Sequence, residues 1–436
     1  MGRGPAPAVV ASPSLTRLVS FAVAVVVTAA AVVTTAAVVT VAALDKRDSV
    51  PYRRTGKRDG VPLGLSHDAR ASSPPPSHAS IPTQAIPRGG TVMQYRTLGR
   101  TGVQVSSLAL GAMNFGSIGR TTQDEATAIV DAALEAGINL IDTADWYSGG
   151  ESEEMVGKAI AGRRDDIVLA TKAYMPMSDE PNHQGASRRW LVTELDNSLR
   201  RLGVDHVDLY QIHRWDPNTS DEETLSALTD LQRAGKIRYF GSSTYPAYRI
   251  VEAQWAAREH RLGRYVTEQP SYSLLQRGIE SQVLPVTEHY GLGVLVWSPL
   301  ASGWLSGAVR AGREVATHRS AVLPERFDPA VPANRARLDA VEKLAAVADE
   351  AGLTLIQLAL GFVTAHPAVT AALVGPRTLD HLHSQLAAAD TVLSDDVLDA
   401  IDAIVPPGTD LAAHEKFDAT PALLDPALRR RRPVRG

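Results

Sequence analysis

From Tyr95 onward the hydrophobic pattern keeps two alternating rhythms. Runs of five or six mostly apolar, β-branched-rich residues are separated by longer stretches in which apolar positions return every three or four residues. A hairpin pattern comes first, Tyr95–Leu98 and Val103–Val105, joined by Gly99-Arg100-Thr101-Gly102. Eight runs then read as strands: Leu108–Met113, Asn139–Thr143, Ile167–Thr171, Val207–Ile212, Ile237–Ser242, Tyr265–Gln269, Gly293–Trp297 and Val369–Val374. Helical patterns between them include Asp124–Ala136, Arg188–Leu202, Glu222–Ala234, Ile250–His260 and Arg335–Glu350, several closed by a glycine at Gly137, Gly203, Gly235 and Gly352. Near-continuous apolar strands suit a parallel sheet covered on both faces, so the pattern predicts an α/β fold, a (β/α)8 TIM barrel with a short N-terminal β-hairpin. A doubly wound open sheet is disfavoured. Its dinucleotide turn wants G-x-G-x-x-G after the first strand, and the chain reads Gly111-Ala112-Met113-Asn114-Phe115-Gly116 there.

The chain before Met93 lacks this rhythm. Leu18 to Leu44 contain no Asp, Glu, Lys, Arg or His and, at about 1.5 Å per helical residue, are long enough to span a bilayer. As an anchor the run would leave the C-terminal bulk in the cytoplasm, because Lys46, Arg47, Arg53, Arg54, Lys57 and Arg58 follow it and only Arg3 and Arg17 precede it. Residues 45–92 are rich in Pro, Ser and Arg, without a hydrophobic period. Three readings stay open: a leader outside the enzyme with the true start at Met93, a membrane anchor, and a cleaved secretion signal. The last fits least, since the run exceeds the usual h-region of roughly 7 to 15 residues. The expected division is residues 1–92 as leader, 93–410 as one barrel domain and 411–436 as a tail. Under the first two readings the barrel is cytoplasmic, and a membrane is a partner only if 18–44 is a real anchor.

Composition narrows the function classes. The 436 residues are 44% hydrophobic and 21% charged with a formal net charge of -4, a balance that suits a globular core and does not suggest a nucleic-acid partner. Arg429 to Arg432 read as a solvated tail. The absence of cysteine excludes disulfides, thiolate metal sites and a cysteine nucleophile.

In such a barrel the chemistry gathers where strands end. Strand two ends in Ile141-Asp142-Thr143-Ala144-Asp145-Trp146-Tyr147, strand three in Ala170-Thr171-Lys172, and strand four in Tyr210-Gln211-Ile212-His213-Arg214. Taken singly, Asp142, Tyr147, Lys172 and His213 could each be a cap, a packing ring or a solvated strand end. Together they are hard to dismiss, because a Lys and an Asp directly after apolar strands are costly to bury unless they pair. The four types support one chemistry: a tyrosine, with an unperturbed pKa of about 10, protonates a carbonyl oxygen if a lysine cation lowers that pKa. Tyr147 is the expected general acid, Lys172 its modulator, Asp142 the lysine's holder and His213 the group that orients the substrate oxygen. Asp145 is the weaker candidate. One histidine without further ligands at zinc spacing argues against a metal.

These same segments resemble the aldo-keto reductases from about Tyr95 to about Ile404. The likeness is carried by Tyr95-Arg96-Thr97-Leu98-Gly99, Ile141-Asp142-Thr143-Ala144 with Tyr147 and Gly157, Thr171-Lys172, Asp208-Leu209-Tyr210-Gln211-Ile212-His213, Gly235-Lys236, Gly241-Ser242-Ser243 and Trp297-Ser298-Pro299-Leu300 before Gly303. It implies reduction of an aldehyde or ketone by NADPH laid across the barrel mouth, with the tetrad named above. It also implies that Ser243 and Gln269 bind the carboxamide, that Trp297 stacks on the nicotinamide, and that Ser298 and Leu300 follow the pyrophosphate. Gly375, Arg377, His381 and Gln385 are the expected cofactor positions after strand eight, with Arg377 facing a 2'-phosphate. The chain departs from the family in two places: Thr244 stands where Asn is frequent, and His381, Ser384 and Gln385 replace a Glu-Asn pattern. The alternative the resemblance carries is an NADPH-binding, redox-sensing regulatory subunit like the potassium-channel β subunits. Substrate choice is expected from the loops Ala173–Ala186, with Met175, Met177 and His183, and Ala301–Pro332.

Overall fold

The computed structural model describes residues 93–313, 315 and 317–411, so the apolar run 18–44, residues 45–92 and the arginines 429–432 lie outside the described residues. Strands β1 (Tyr95–Thr97) and β2 (Gln104–Ser106) form the antiparallel hairpin. Eight further strands follow: β3 (Leu108–Gly111), β4 (Leu140–Asp142), β5 (Val168–Ala173), β6 (Val207–Ile212), β7 (Ile237–Ser243), β8 (Thr267–Gln269), β9 (Gly293–Val296) and β10 (Val369–Val374). Each pairs in parallel with the next, and β10 returns to β3, closing the barrel that the alternating rhythm predicts.

Side chains alternate across a strand, and this period of two sorts the barrel into two cores. Ala109, Leu140, Ala170, Leu209, Leu295 and Ala371 pack with one another inside, and Leu98 and Val105 from the hairpin join them. Their neighbours Leu108, Ile141, Leu169, Tyr210, Val294 and Ala372 pack in the separate, larger core that takes in the helices. Two steps along from Leu140, Ala170 and Leu209, the inward positions are Asp142, Lys172 and Gln211. Hydrogen bonds among these three make a polar layer above the apolar one.

The helices form for local reasons as well. In α1 (Gln123–Glu135) a Thr122–Glu125 capping box starts the helix, and Ala126, Ile129, Val130 and Ala133 give the buried stripe. Around the barrel follow α2 (Glu151–Ala159), α3 (Arg188–Leu202), α4 (Asp221–Arg233), α5 (Ala247–Glu259) and α6 (Val283–Tyr290). Then come α7 (His318–Val322), α8 (Pro332–Glu350), α9 (Leu355–Ala365), α10 (Leu379–Leu386) and α11 (Asp395–Ile404). Among the described residues no single helix is long and apolar enough to cross a membrane.

One glycine fixes how α2 meets α3. A methyl group on Gly157 would lie 2.3 Å from the Leu202 carbonyl oxygen at the end of α3, so only glycine permits this approach. Gly157→Ala is expected to lower unfolding stability by about 1–3 kcal/mol, the usual range for overpacking. Urea denaturation measures this directly, and an unchanged midpoint would show that the helices can move apart without penalty.

Candidate active site

Lys172 is fully buried, and its position at an inward site of β5 leaves its ammonium little choice of partner. Nζ pairs with Asp142 Oδ2 on the adjacent strand, donates to the Thr143 carbonyl at 2.9 Å, and reaches the Tyr147 hydroxyl at 3.3 Å. The remaining Asp142 oxygen accepts from Gln211 Nε2 at 3.1 Å and Gln269 Nε2 at 2.9 Å. Both carboxylate oxygens are thus satisfied inside the barrel, which makes burial of the charge tolerable.

Tyr147 comes back over this layer because the backbone after it turns sharply. Ser148, Gly149 and Gly150 all have left-handed φ, at 54, 66 and 98°. Gly150 is required twice over, since a Cβ there would also come within 2.7 Å of Arg201 Cδ. Ser148 locks the turn to the β3 loop by donating to the Phe115 carbonyl at 2.8 Å and accepting from the Ile118 amide at 3.1 Å. The Tyr147 ring meets the His213 ring edge-on, with centroids 5.6 Å apart.

Protonation follows from burial and neighbours. Burial pushes the Tyr147 phenol above its ordinary value; Lys172 pulls the other way but does not prevail, and Asp142 adds to the rise. The lysine therefore lowers the phenol's pKa relative to burial alone and not below the free value, a correction to the simple expectation. The phenol stays protonated as a donor. Burial also works against the Lys172 cation, yet Asp142 and Tyr147 together raise its pKa. His213 lies well below the ordinary histidine value through burial, with Lys172 and Arg214 adding repulsion, and its Nδ1 has no hydrogen-bond partner among the described residues. It is a neutral imidazole, fit to orient an oxygen and not to supply a proton.

A cavity of about 800 Å³ opens over this layer. Asp142, Tyr147 and His213 line it, with Lys172 beneath, and so do all nine positions expected at a cofactor: Ser243, Gln269, Trp297, Ser298, Leu300, Gly375, Arg377, His381 and Gln385. Its volume is large enough for a dinucleotide. Arg319, Arg326 and His318 line it together with Arg377, giving it a cationic wall. Gln385 Oε1 and His318 Nε2 are buried there with no partner among the described residues, two polar atoms that a ligand would satisfy. No group of His, Asp and Glu among the described residues could hold a metal ion.

The family model for the aldo/keto reductases matches residues 107–406. The chain belongs to the aldo/keto reductase family. It is 40% identical to an uncharacterized oxidoreductase of Bacillus subtilis, YrpG, over 72% of this chain and 96% of that protein. A probable voltage-gated potassium channel subunit beta of rice is 37% identical over 72% of this chain and 97% of its own length. A putative aryl-alcohol dehydrogenase of Schizosaccharomyces pombe is 35% identical over 50% of this chain and 71% of its own.

Within this family member, the structure separates neighbours that the sequence leaves side by side. Asp145 is buried away from the cavity, where burial, and then Glu153, raise its pKa well above the ordinary aspartate value. Gln269 turns its amide nitrogen to Asp142, so it braces the tetrad as well as lining the cavity. Met175 reaches the cavity wall; Met177 does not, and His183 stacks on Trp190 at 5.1 Å. Sequence reasoning missed Asn114, Trp146 and Arg214, all in the wall. Asn114 and Arg214 stand just past the ends of β3 and β6, so reading every residue after a strand end would have found them.

The neutral state of His213 sets a pH prediction. Its depressed pKa contributes stability that is present above about pH 6.5 and lost as pH falls through the folded-state value. Its imidazole ¹⁵N resonances, assigned by their loss in His213→Asn, are expected not to titrate between about pH 6 and 8. A midpoint inside that window would mean the ring is charged and could act as an acid.

Proposed function

We propose that this chain is an oxidoreductase that reduces an aldehyde or ketone to an alcohol with NADPH. The observation that carries this reading is the buried Asp142–Lys172–Tyr147 chain ending, beside a neutral His213, at the floor of a dinucleotide-sized cavity. A bound reduced nicotinamide would supply the hydride. The protein's own part is to hold the carbonyl oxygen between the Tyr147 hydroxyl and the His213 imidazole, and to deliver the phenolic proton as negative charge develops on that oxygen. Lys172 stabilises the phenolate left behind, and Asp142 keeps the lysine cationic and in place. Ser243, Gln269 and Trp297 would hold the nicotinamide end, Ser298 and Leu300 the pyrophosphate, and Gly375, Arg377, His381 and Gln385 the adenosine end. Arg377 suits a 2'-phosphate by charge and fork geometry.

The relatives named as channel subunits support a second reading, an NADPH-binding regulatory subunit that docks on a membrane partner. Tight cofactor binding with negligible turnover over a panel of aldehydes and ketones, and a stable membrane partner in a pull-down, would favour it.

Tyr147→Phe in the full chain is expected to cut NADPH-dependent reduction by about 10²- to 10⁴-fold, the range for a lost general acid, with cofactor Kd little changed. Retained turnover would remove Tyr147 from its role. Arg377→Ala is expected to weaken NADPH about 10- to 100-fold, as the loss of a charged hydrogen bond implies, and to leave NADH binding unaltered. Equal weakening of both cofactors, measured by fluorescence titration, would place the 2'-phosphate elsewhere.

A further inference from the structure

We propose that Glu268 is a positioning residue for the nicotinamide end of the site: its buried carboxylate holds the turn 242–245 in the strained form that sets Ser243 in the cavity wall and presents Thr244 to Trp297 and Arg214. The inference rests on the cofactor reading above. Glu268 lies in β8 beside Gln269, so by the period of two it faces out of the barrel while Gln269 faces in. It is wholly buried and forms no part of the cavity wall, so it acts only through what it holds.

What it holds is the turn after β7. Ser242 Oγ donates to Glu268 Oε2 at 2.5 Å and the Tyr245 amide donates to Oε1 at 3.1 Å. Between them Thr244 has φ +56°, a left-handed conformation that is unfavourable for a β-branched residue and persists only when its surroundings impose it. In that conformation Thr244 Oγ1 accepts from Arg214 Nη1 at 3.1 Å and from the Trp297 indole at 3.3 Å, and the Thr244 amide donates to the Gln269 carbonyl at 3.2 Å. The carboxylate, the strained turn and the ring that would face the nicotinamide form one continuous chain of contacts.

The charged groups around Glu268 set its titration. Burial pushes its carboxyl up to about 7, while the bonds from Ser242, Tyr245 and Thr244 and the nearby Arg214 oppose the rise. On the helix side, burial keeps the Tyr245 and Tyr265 hydroxyls neutral, and the nearest charges there, Asp221 and Arg249, pair at 2.8 Å. Two consequences have opposite signs. Protonation below about pH 7 removes the negative acceptor from the turn, so cofactor affinity falls with falling pH. The raised pKa also means that Glu268 contributes stability present below its unfolded value and lost as pH rises through about 7.

Glu268→Gln in the full chain separates these effects. The cofactor's phosphate and the histidines in the cavity titrate alike in both proteins, so the ratio of variant to wild-type NADPH Kd isolates Glu268. That ratio is expected to rise from about 1 at pH 5.5 to about 10 at pH 8.5, while the Tm gained by the variant is larger at pH 8.5 than at pH 5.5. In the wild type without cofactor, the Tyr245 amide ¹⁵N resonance is expected to titrate near pH 7, a readout that needs no variant to fold. A Kd ratio independent of pH, or an amide that does not titrate, would overturn the inference alone. Failure of the wild type to bind NADPH at any pH would overturn the proposed function and this inference with it.

Discussion

A lysine ammonium buried inside a barrel is unstable unless another charge answers it, and the Lys172–Asp142 pair is the constraint around which this site is arranged. Removing one partner of such a pair generally costs about 3–5 kcal/mol, because the other is left as an uncompensated buried charge. The pair is therefore tolerable only with its remaining hydrogen bonds made, and Thr143, Gln211 and Gln269 make them from three other positions on the barrel wall. Each of those strands is held in register by its own ladder, so the fold as a whole underwrites one ion pair.

The same burial decides the protonation states above the pair. Tyr147 and His213 are both driven toward their neutral forms, and both are thereby left suited to hydrogen-bonding a carbonyl oxygen. A more solvated mouth would weaken the effect of Lys172 on the phenol and let the imidazole take up protons. The apolar layer below, closed by Leu98 and Val105 of the hairpin, is what keeps water from reaching the lysine from the other side.

Around this fixed centre the backbone is bent into unfavourable conformations. Left-handed φ values occur at Ser148, Thr244, Ser298, Ala301 and Ser302, all at the ends of barrel strands or in the loops that follow them. Such strain persists where surrounding contacts over-determine it, and here it aims Tyr147, Trp297 and Leu300 toward one cavity. A fold of this kind hosts many chemistries, so the functional reading belongs to these side chains and not to the barrel itself.

Much of this was legible in the chain. The eight strands and their order follow from hydrophobic runs and glycine stops, because local periodicity is set by which residues must leave water. That Asp142, Tyr147, Lys172 and His213 come together was visible for a related reason: charged residues directly after apolar strands need an explanation, and the strand-end rule gathers them at one mouth. What the sequence could not supply are contacts between residues far apart in it. That Gln269 braces Asp142, that Asp145 turns away from its neighbour, and that Thr244 takes a left-handed φ are not written in any local pattern. Glu268 is the clearest case, an ordinary carboxylate in sequence whose burial and partners come from other strands and turns. Sequence determined which groups are present and their period along the chain. Only closure of the barrel decided which of them lose water together, and with it their charge, partners and strain.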